Sequence, residues 1–329
     1  MILATFTRDG GQPRIGLVDR ECGTILDLQA AHQQMRGREN KALESMLALI
    51  EFGSEGLALA AELGKQQDNE ARCKLEAVRL LAPVPVPAQV REFSLFEQHV
   101  RDAPRASARI RAKMAGQPPP EQGPPPARGA EIFYRQPAFY IMNRFSMVGP
   151  EVDVEWPSYS AGYFDYELEI GMYVSKRGKN IPREKAHEHI FGYTIFNDFS
   201  ARQQQWGEME TRLGPSKGKS FDTGNVTGPW IVTPDEIGDI RDRAVEVRVN
   251  GEPWATTTTK GMLHSFEDIV AYTSVDETLQ AGELFASGTV GGCCGMEIDR
   301  WIKVGDVVEL EVAGIGKLRN RIVASRRAA

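Results

Sequence analysis

Short β-type apolar runs open the chain, from Ile2 to Thr7, Ile15 to Val18 and Thr24 to Leu28, with Asp9-Gly10-Gly11 and the Asp19 to Gly23 segment between them. Runs of this length separated by Gly- and Asp-containing turns predict a small antiparallel meander. From Ala30 to Glu70 the spacing becomes helical, with Leu43, Met46, Leu47 and Ile50 and then Leu57, Ala60 and Leu63 recurring on one face. One or two helices are expected to close this N-terminal module. Pro83, Pro85 and Pro87 then interrupt the Leu80 to Pro87 stretch. Prolines lack a donor and fix φ, so this stretch suits neither a helix interior nor a central strand, and it reads as a junction. The chain is thus expected to divide into a small N-terminal α+β domain, residues 1–80, and a larger domain, residues 81–329.

Seven of the 19 prolines fall between Arg101 and Ala130, among Gly, Gln, Arg and Ala. Few large apolar residues there offset ordering entropy, which predicts a helical start and then a mobile insertion or lid over residues 101–130. Beyond residue 132 the patterns are mainly of strand type. They run from Phe139 to Asn143, Glu167 to Val174, Gly192 to Phe196, Trp230 to Thr233, Ala244 to Val249, Val307 to Val312 and Ile322 to Ala324. Helical patterns are few and short, from Pro182 to Glu188 and from Ser265 to Tyr272. A doubly wound parallel fold needs a helix after nearly every strand, so the expected class is α+β, mostly β, with long sheets wrapped on themselves.

Composition removes several functions. With 329 residues and 41% hydrophobic content the chain can bury a sizeable core. No apolar stretch approaches the ~20 residues of a membrane span, and no leader pattern is visible, so a cytoplasmic protein without a membrane partner is expected. A net charge of −6 without a basic patch argues against nucleic acid as a partner. Cys22, Cys73, Cys293 and Cys294 match no zinc module, and the adjacent pair is unsuited to a structural disulfide. The pair is read as small packing residues beside a Gly-rich turn.

Four segments carry candidate chemistry. In Phe164-Asp165-Tyr166-Glu167-Leu168-Glu169-Ile170 acidic and apolar residues alternate with the strand period, placing Asp165, Glu167 and Glu169 on one face. A solvated face tolerates three acids, whereas a buried one needs a cation, and the pattern alone favours the solvated face. A second β-type run, Gly192 to Phe196, ends in Asn197-Asp198. Asp198 is either a helix N-cap or, with Glu167 and Glu169, part of an all-oxygen site for Mg²⁺, Mn²⁺ or Ca²⁺. The Gly214 to Thr223 segment fails the phosphate-loop spacing because Leu213 stands where Gly is required, leaving Lys219 as a cation able to hold a substrate oxyanion. The turn from Ser287 to Glu297 is rich in Gly and lets backbone approach a small ligand. His99, one of five histidines, follows the junction; a lone histidine is structural or an acid–base group.

Lys185 to Gly192, Asn197-Asp198-Phe199-Ser200-Ala201-Arg202, Leu213-Gly214-Pro215 and Gly218-Lys219-Ser220-Phe221, in this order, closely resemble the fumarylacetoacetate hydrolase family over roughly residues 80–325. The resemblance implies a β-roll catalytic domain behind the small N-terminal domain, and a homodimer. It implies that Glu167, Glu169 and Asp198 hold a divalent ion, Mg²⁺ in the first place, with Glu92 as a fourth carboxylate where the family has Asp. It further implies that His99 and Glu297 activate water and that Lys219 stands beside the metal. Arg202, Gln205 and Thr289 would place the substrate, and Tyr140 is assigned there by neighbourhood. Two departures touch substrate choice: Arg91-Glu92-Phe93-Ser94 differs from the smaller acylpyruvate-cleaving members, and the Pro-rich segment after His99 is an insertion.

The implied activity is metal-dependent hydrolysis of a carbon–carbon bond in a 1,3-diketo acid, an acylpyruvate or fumarylacetoacetate-like product of aromatic ring fission. The alternative on the same scaffold is a 2-oxo acid lyase, whether hydratase, decarboxylase or tautomerase.

Overall fold

A computed structural model describes residues 1–66, 70–160 and 162–325. The meander forms as its pattern implies: Ile2–Thr7, Arg14–Asp19 and Thr24–Asp27 pair antiparallel, and Arg72–Lys74 adds an outer edge. The Asp27 carboxylate accepts the Ala30 N–H and so caps the helix Leu28–Arg36, which Gly37 ends at φ 70°. Two more helices, Met46–Glu51 and Gly53–Gly64, bury Met46, Leu49, Ile50, Ala60 and Leu63 in the same module.

Backbone hydrogen bonds continue the meander into the rest of the chain, with Ile2 opposite Val232 and Leu3 opposite Ile231. From that seam the sheet runs through Asn225–Val232, Ile190–Asp198, Leu168–Val174, Leu284–Ala286, Val90–Phe93 and Phe139–Ile141. Its central strands are buried at every position, so both faces are covered. A second sheet of five strands, Glu252–Thr258, Ala244–Val249, Val307–Val312, Gly316–Val323 and Val154–Glu155, lies against this one. Here the alternation is kept, and Val245, Val247, Val249, Val308, Leu310 and Val312 turn inward to the common core. The fold is mixed, with more strand than helix, as expected.

The Pro-rich stretch begins inside an 18-residue helix, Glu97–Met114, which contains Pro104 and buries Val100, Ala106 and Ile110. Residues 115–130 are irregular. Among the described residues no helix is long and apolar enough to cross a membrane.

Candidate active site

The central strands deliver the acids. Glu169 stands opposite Phe196 on the strand that ends in Asp198, and Glu92 pairs with Ala286 on the parallel Leu284–Ala286 strand. Sheet pairing thereby gathers Glu92, Glu169 and Asp198 from three segments, with carboxylate oxygens within 4.8 Å of one another and all three residues buried. Asp165, Glu167 and Glu169 are 0%, 4% and 0% exposed, which overturns the solvated-face expectation. Asp198 caps no helix, because the next one, Arg202–Glu210, starts from Ala201 without a side-chain cap.

Five buried carboxylates, those of Glu92, Asp165, Glu167, Glu169 and Asp198, face two buried cations, Lys219 and Arg202. Lys219 Nζ contacts a Glu167 oxygen and lies 2.6 Å from Asp198 Oδ2. Arg202 Nη2 lies 2.7 Å from Glu167 Oε1 and 2.6 Å from Asp165 Oδ2. Burial works against ionisation of Glu167, yet Arg202 and Lys219 hold its carboxyl well below the usual range. The other acids behave oppositely. Burial, with Asp198 adding, pushes Glu92 well up, and burial with Glu92 and Asp198 does the same to Glu169. Burial lifts Asp198 to about 7 although Lys219 opposes it.

Hydrogen bonding draws the same division. Both Glu167 oxygens are taken by Lys219 and Arg202, whereas Glu92 Oε2, Glu169 Oε1 and Asp198 Oδ1 are buried without a hydrogen-bond partner among the described residues. Three buried acids with carboxylate oxygens within 4.8 Å of one another, each with one bare oxygen, fit a hard divalent cation, which would displace their protons. Its affinity is expected to rise as pH climbs through about 7, the range to which Asp198 is lifted, because binding displaces protons. Calorimetry with Mn²⁺ in buffers of different ionisation enthalpy measures that release, and an affinity independent of pH contradicts it.

His99 occupies the first turn of Glu97–Met114, with Nδ1 3.3 Å from Glu297 Oε2 on the short helix Gly295–Ile298. The same Oε2 accepts the Gly292 N–H at 3.0 Å and the Cys294 thiol at 3.3 Å, so the carboxylate is fixed. Burial disfavours protonated His99, but Glu297 outweighs it and the imidazole lies above its ordinary value. Asp165, which the alternation placed on the acidic face without a role, accepts the Gly295 and Met296 N–H groups at 2.7 and 3.0 Å. It therefore ties Arg202 to the turn that carries Glu297.

A cleft of about 730 Å³ opens onto Glu92, Glu167, Glu169, Lys219, His99, Arg202, Gln205, Tyr140 and Thr289. Asp198 sits just behind, accepting the Tyr140 hydroxyl at 3.3 Å, and Glu297 backs His99. Every side chain singled out from the sequence is thus at or directly behind one cleft. Arg202 differs in detail, since its guanidinium is spent on Asp165, Glu167 and the Gln205 carbonyl at 3.0 Å. Ala103, Pro104, Trp206, Met209 and Leu213 also line the cleft, and none of them was expected from the sequence as a site residue.

The model of the family described as fumarylacetoacetate (FAA) hydrolase C-terminal matches residues 100–323. The chain belongs to the fumarylacetoacetate hydrolase family. A mitochondrial oxaloacetate tautomerase of Xenopus laevis is 29% identical over 319 residues, 96% of this chain and 88% of that protein. A 2,4-didehydro-3-deoxy-L-rhamnonate hydrolase of a Sphingomonas species is 32% identical over 57% of this chain and 65% of its own length. Among solved structures, fumarylacetoacetate hydrolase from Exiguobacterium antarcticum is 27% identical with a TM-score of 0.71, over 98% of this chain and 100% of that one. Maleylpyruvate hydrolase from Sphingobium sp. SYK-6, in complex with manganese(II) and pyruvate, shares the fold at 23% identity and a TM-score of 0.70, over 99% and 100% of the two chains. Family relatives thus include hydrolases and a tautomerase.

Proposed function

We propose that this family member is a divalent-metal-dependent hydrolase that cleaves a carbon–carbon bond in a 1,3-diketo acid of the acylpyruvate or fumarylacetoacetate-like type. The observation that carries the reading is the pairing, in one cleft, of three unpartnered carboxylate oxygens with a His99–Glu297 dyad. Glu92, Glu169 and Asp198 would hold Mg²⁺ or Mn²⁺, with Glu167 alongside in the grip of Lys219 and Arg202. Bound there, such an ion supplies Lewis acidity to the oxygens of the keto acid.

The chain's own groups supply the rest. His99 takes a proton from water, and the Glu297 carboxylate fixes the ring and stabilises the imidazolium. Water oxygen bonds to the acyl carbonyl carbon, the carbon–carbon bond breaks, and protonated His99 returns its proton to the departing carbon. Lys219 keeps positive charge beside the developing oxyanion. Burial and the neighbouring Asp198 push the Tyr140 phenol well up, so it stays protonated and serves as a donor. Thr289 and Gln205 complete the polar wall, and Arg202 positions Gln205 and Glu167.

Enol absorbance of several acylpyruvates and of fumarylacetoacetate, followed with Mg²⁺ or Mn²⁺ and then with EDTA, tests this. Metal-dependent formation of two acids, identified by mass, is expected. Similarity to an oxaloacetate tautomerase along 96% of the chain supports a second reading, in which the same dyad moves a proton between enol oxygen and carbon. Enol loss without cleavage on every substrate would favour that reading.

A further inference from the structure

We propose a second metal site directly behind this cleft, at which Zn²⁺ binds His99, Cys294 and Glu297 and inhibits the enzyme. One nitrogen, one sulfur and one carboxylate oxygen from these residues lie within 4.8 Å of one another. His99 Nδ1 and Cys294 Sγ each stand 3.3 Å from Glu297 Oε2. Metal bonds of about 2.0–2.3 Å in a tetrahedron space their ligands by roughly 3.3–3.6 Å, so the two separations to Glu297 Oε2 are already near the required value.

One donor atom is unclaimed among the described residues: Glu297 Oε1 is buried without a hydrogen-bond partner, on a side chain only 4% exposed, while His99 Nδ1 is met by Glu297 Oε2 of the same set. The site is also preorganised, because Asp165 accepts two backbone N–H groups of the turn that carries Cys294 and Glu297. Its chemistry separates it from the carboxylate trio: an oxygen-only set suits a hard ion, whereas imidazole and thiolate select zinc. The sequence signal was hidden because His99 lies far from the other two along the chain, so no ligand spacing is visible.

His99 lines the cleft, which gives an ion its way in. Burial keeps the Cys294 thiol protonated, and the ion displaces that proton to solvent as the metal–sulfur bond forms. With Nδ1 on the metal, Glu297 no longer holds the imidazole as a base. Inhibition therefore follows from the proposed role of His99, while binding itself does not depend on that role.

The test is a Co²⁺ titration of the protein in excess Mg²⁺, read by absorbance, with Zn²⁺ inhibition measured in parallel. A thiolate-to-cobalt charge-transfer band saturating at one equivalent is expected. Cys294→Ser should abolish the band and raise the half-inhibiting Zn²⁺ concentration by about tenfold or more. Glu169→Gln, which alters only the carboxylate trio, should retain the band, as should Cys22→Ser. Absence of the band in the unaltered protein, or its survival in Cys294→Ser, overturns the site. If Cys294→Ser does not fold, Cys294→Ala makes the same comparison. A band without any keto-acid turnover supports the site and removes only the hydrolase reading, whereas turnover without a band does the reverse.

Discussion

His99→Ala is expected to lower kcat by about 10² to 10⁴, the usual contribution of a general base, while leaving Mn²⁺ affinity unchanged. The two effects separate because the imidazole is paired with Glu297, whereas the unpartnered oxygens belong to Glu92, Glu169 and Asp198. The loss should appear in kcat more than in KM, since a base acts on the transition state and the substrate is held by other groups. Unchanged turnover would take His99 out of the mechanism. Weakened Mn²⁺ binding would instead place the ion nearer the dyad.

The second large effect concerns Lys219. Its side chain is 2% exposed, and its ammonium touches both Glu167 and Asp198. Removing one partner of a buried ion pair costs about 3–5 kcal/mol, because the remaining charge is stranded. Lys219→Met should therefore lower the Tm of the metal-free protein, and added Mn²⁺ should raise that Tm by more than it does in the unaltered chain. The deficit should shrink in acid. Asp198, lifted from 3.8 to about 7, destabilises the metal-free fold increasingly as pH climbs through that window, and it takes up a proton as pH falls. Thermal melts of both proteins at several pH values, with and without Mn²⁺, give the comparison; equal Tm values throughout contradict the neutralising role.

The strands that keep one face against the core and one toward solvent were legible in the sequence. Ala244–Val249 and Val307–Val312 alternate strictly, and both form over the expected residues. Ile190–Asp198 and Asn225–Val232 extend beyond their apolar centres because burial on both faces removes the period-two pattern. Glu252–Thr258 carried no signal, since it is an edge strand made of Glu, Pro, Trp, Ala and Thr. Arg202–Glu210 likewise has no apolar stripe; Arg202 on Asp165 and the buried Trp206 hold it instead.

At the site, alternation put Asp165, Glu167 and Glu169 on one face, but burial is a tertiary fact. It arises from Lys219, Arg202 and the Leu284–Ala286 strand, all remote along the chain. Remote pairing also sets Glu167 apart from the unpartnered acids. No local pattern shows which of two glutamates two residues apart will receive both cations.

The most direct test of the hydrolase reading is turnover of an acylpyruvate in heavy-oxygen water with Mn²⁺, with products weighed by mass spectrometry. Cleavage to pyruvate and a carboxylic acid carrying one solvent oxygen in its new carboxyl group is predicted, abolished by EDTA. An enol that disappears while the carbon skeleton stays intact would contradict it.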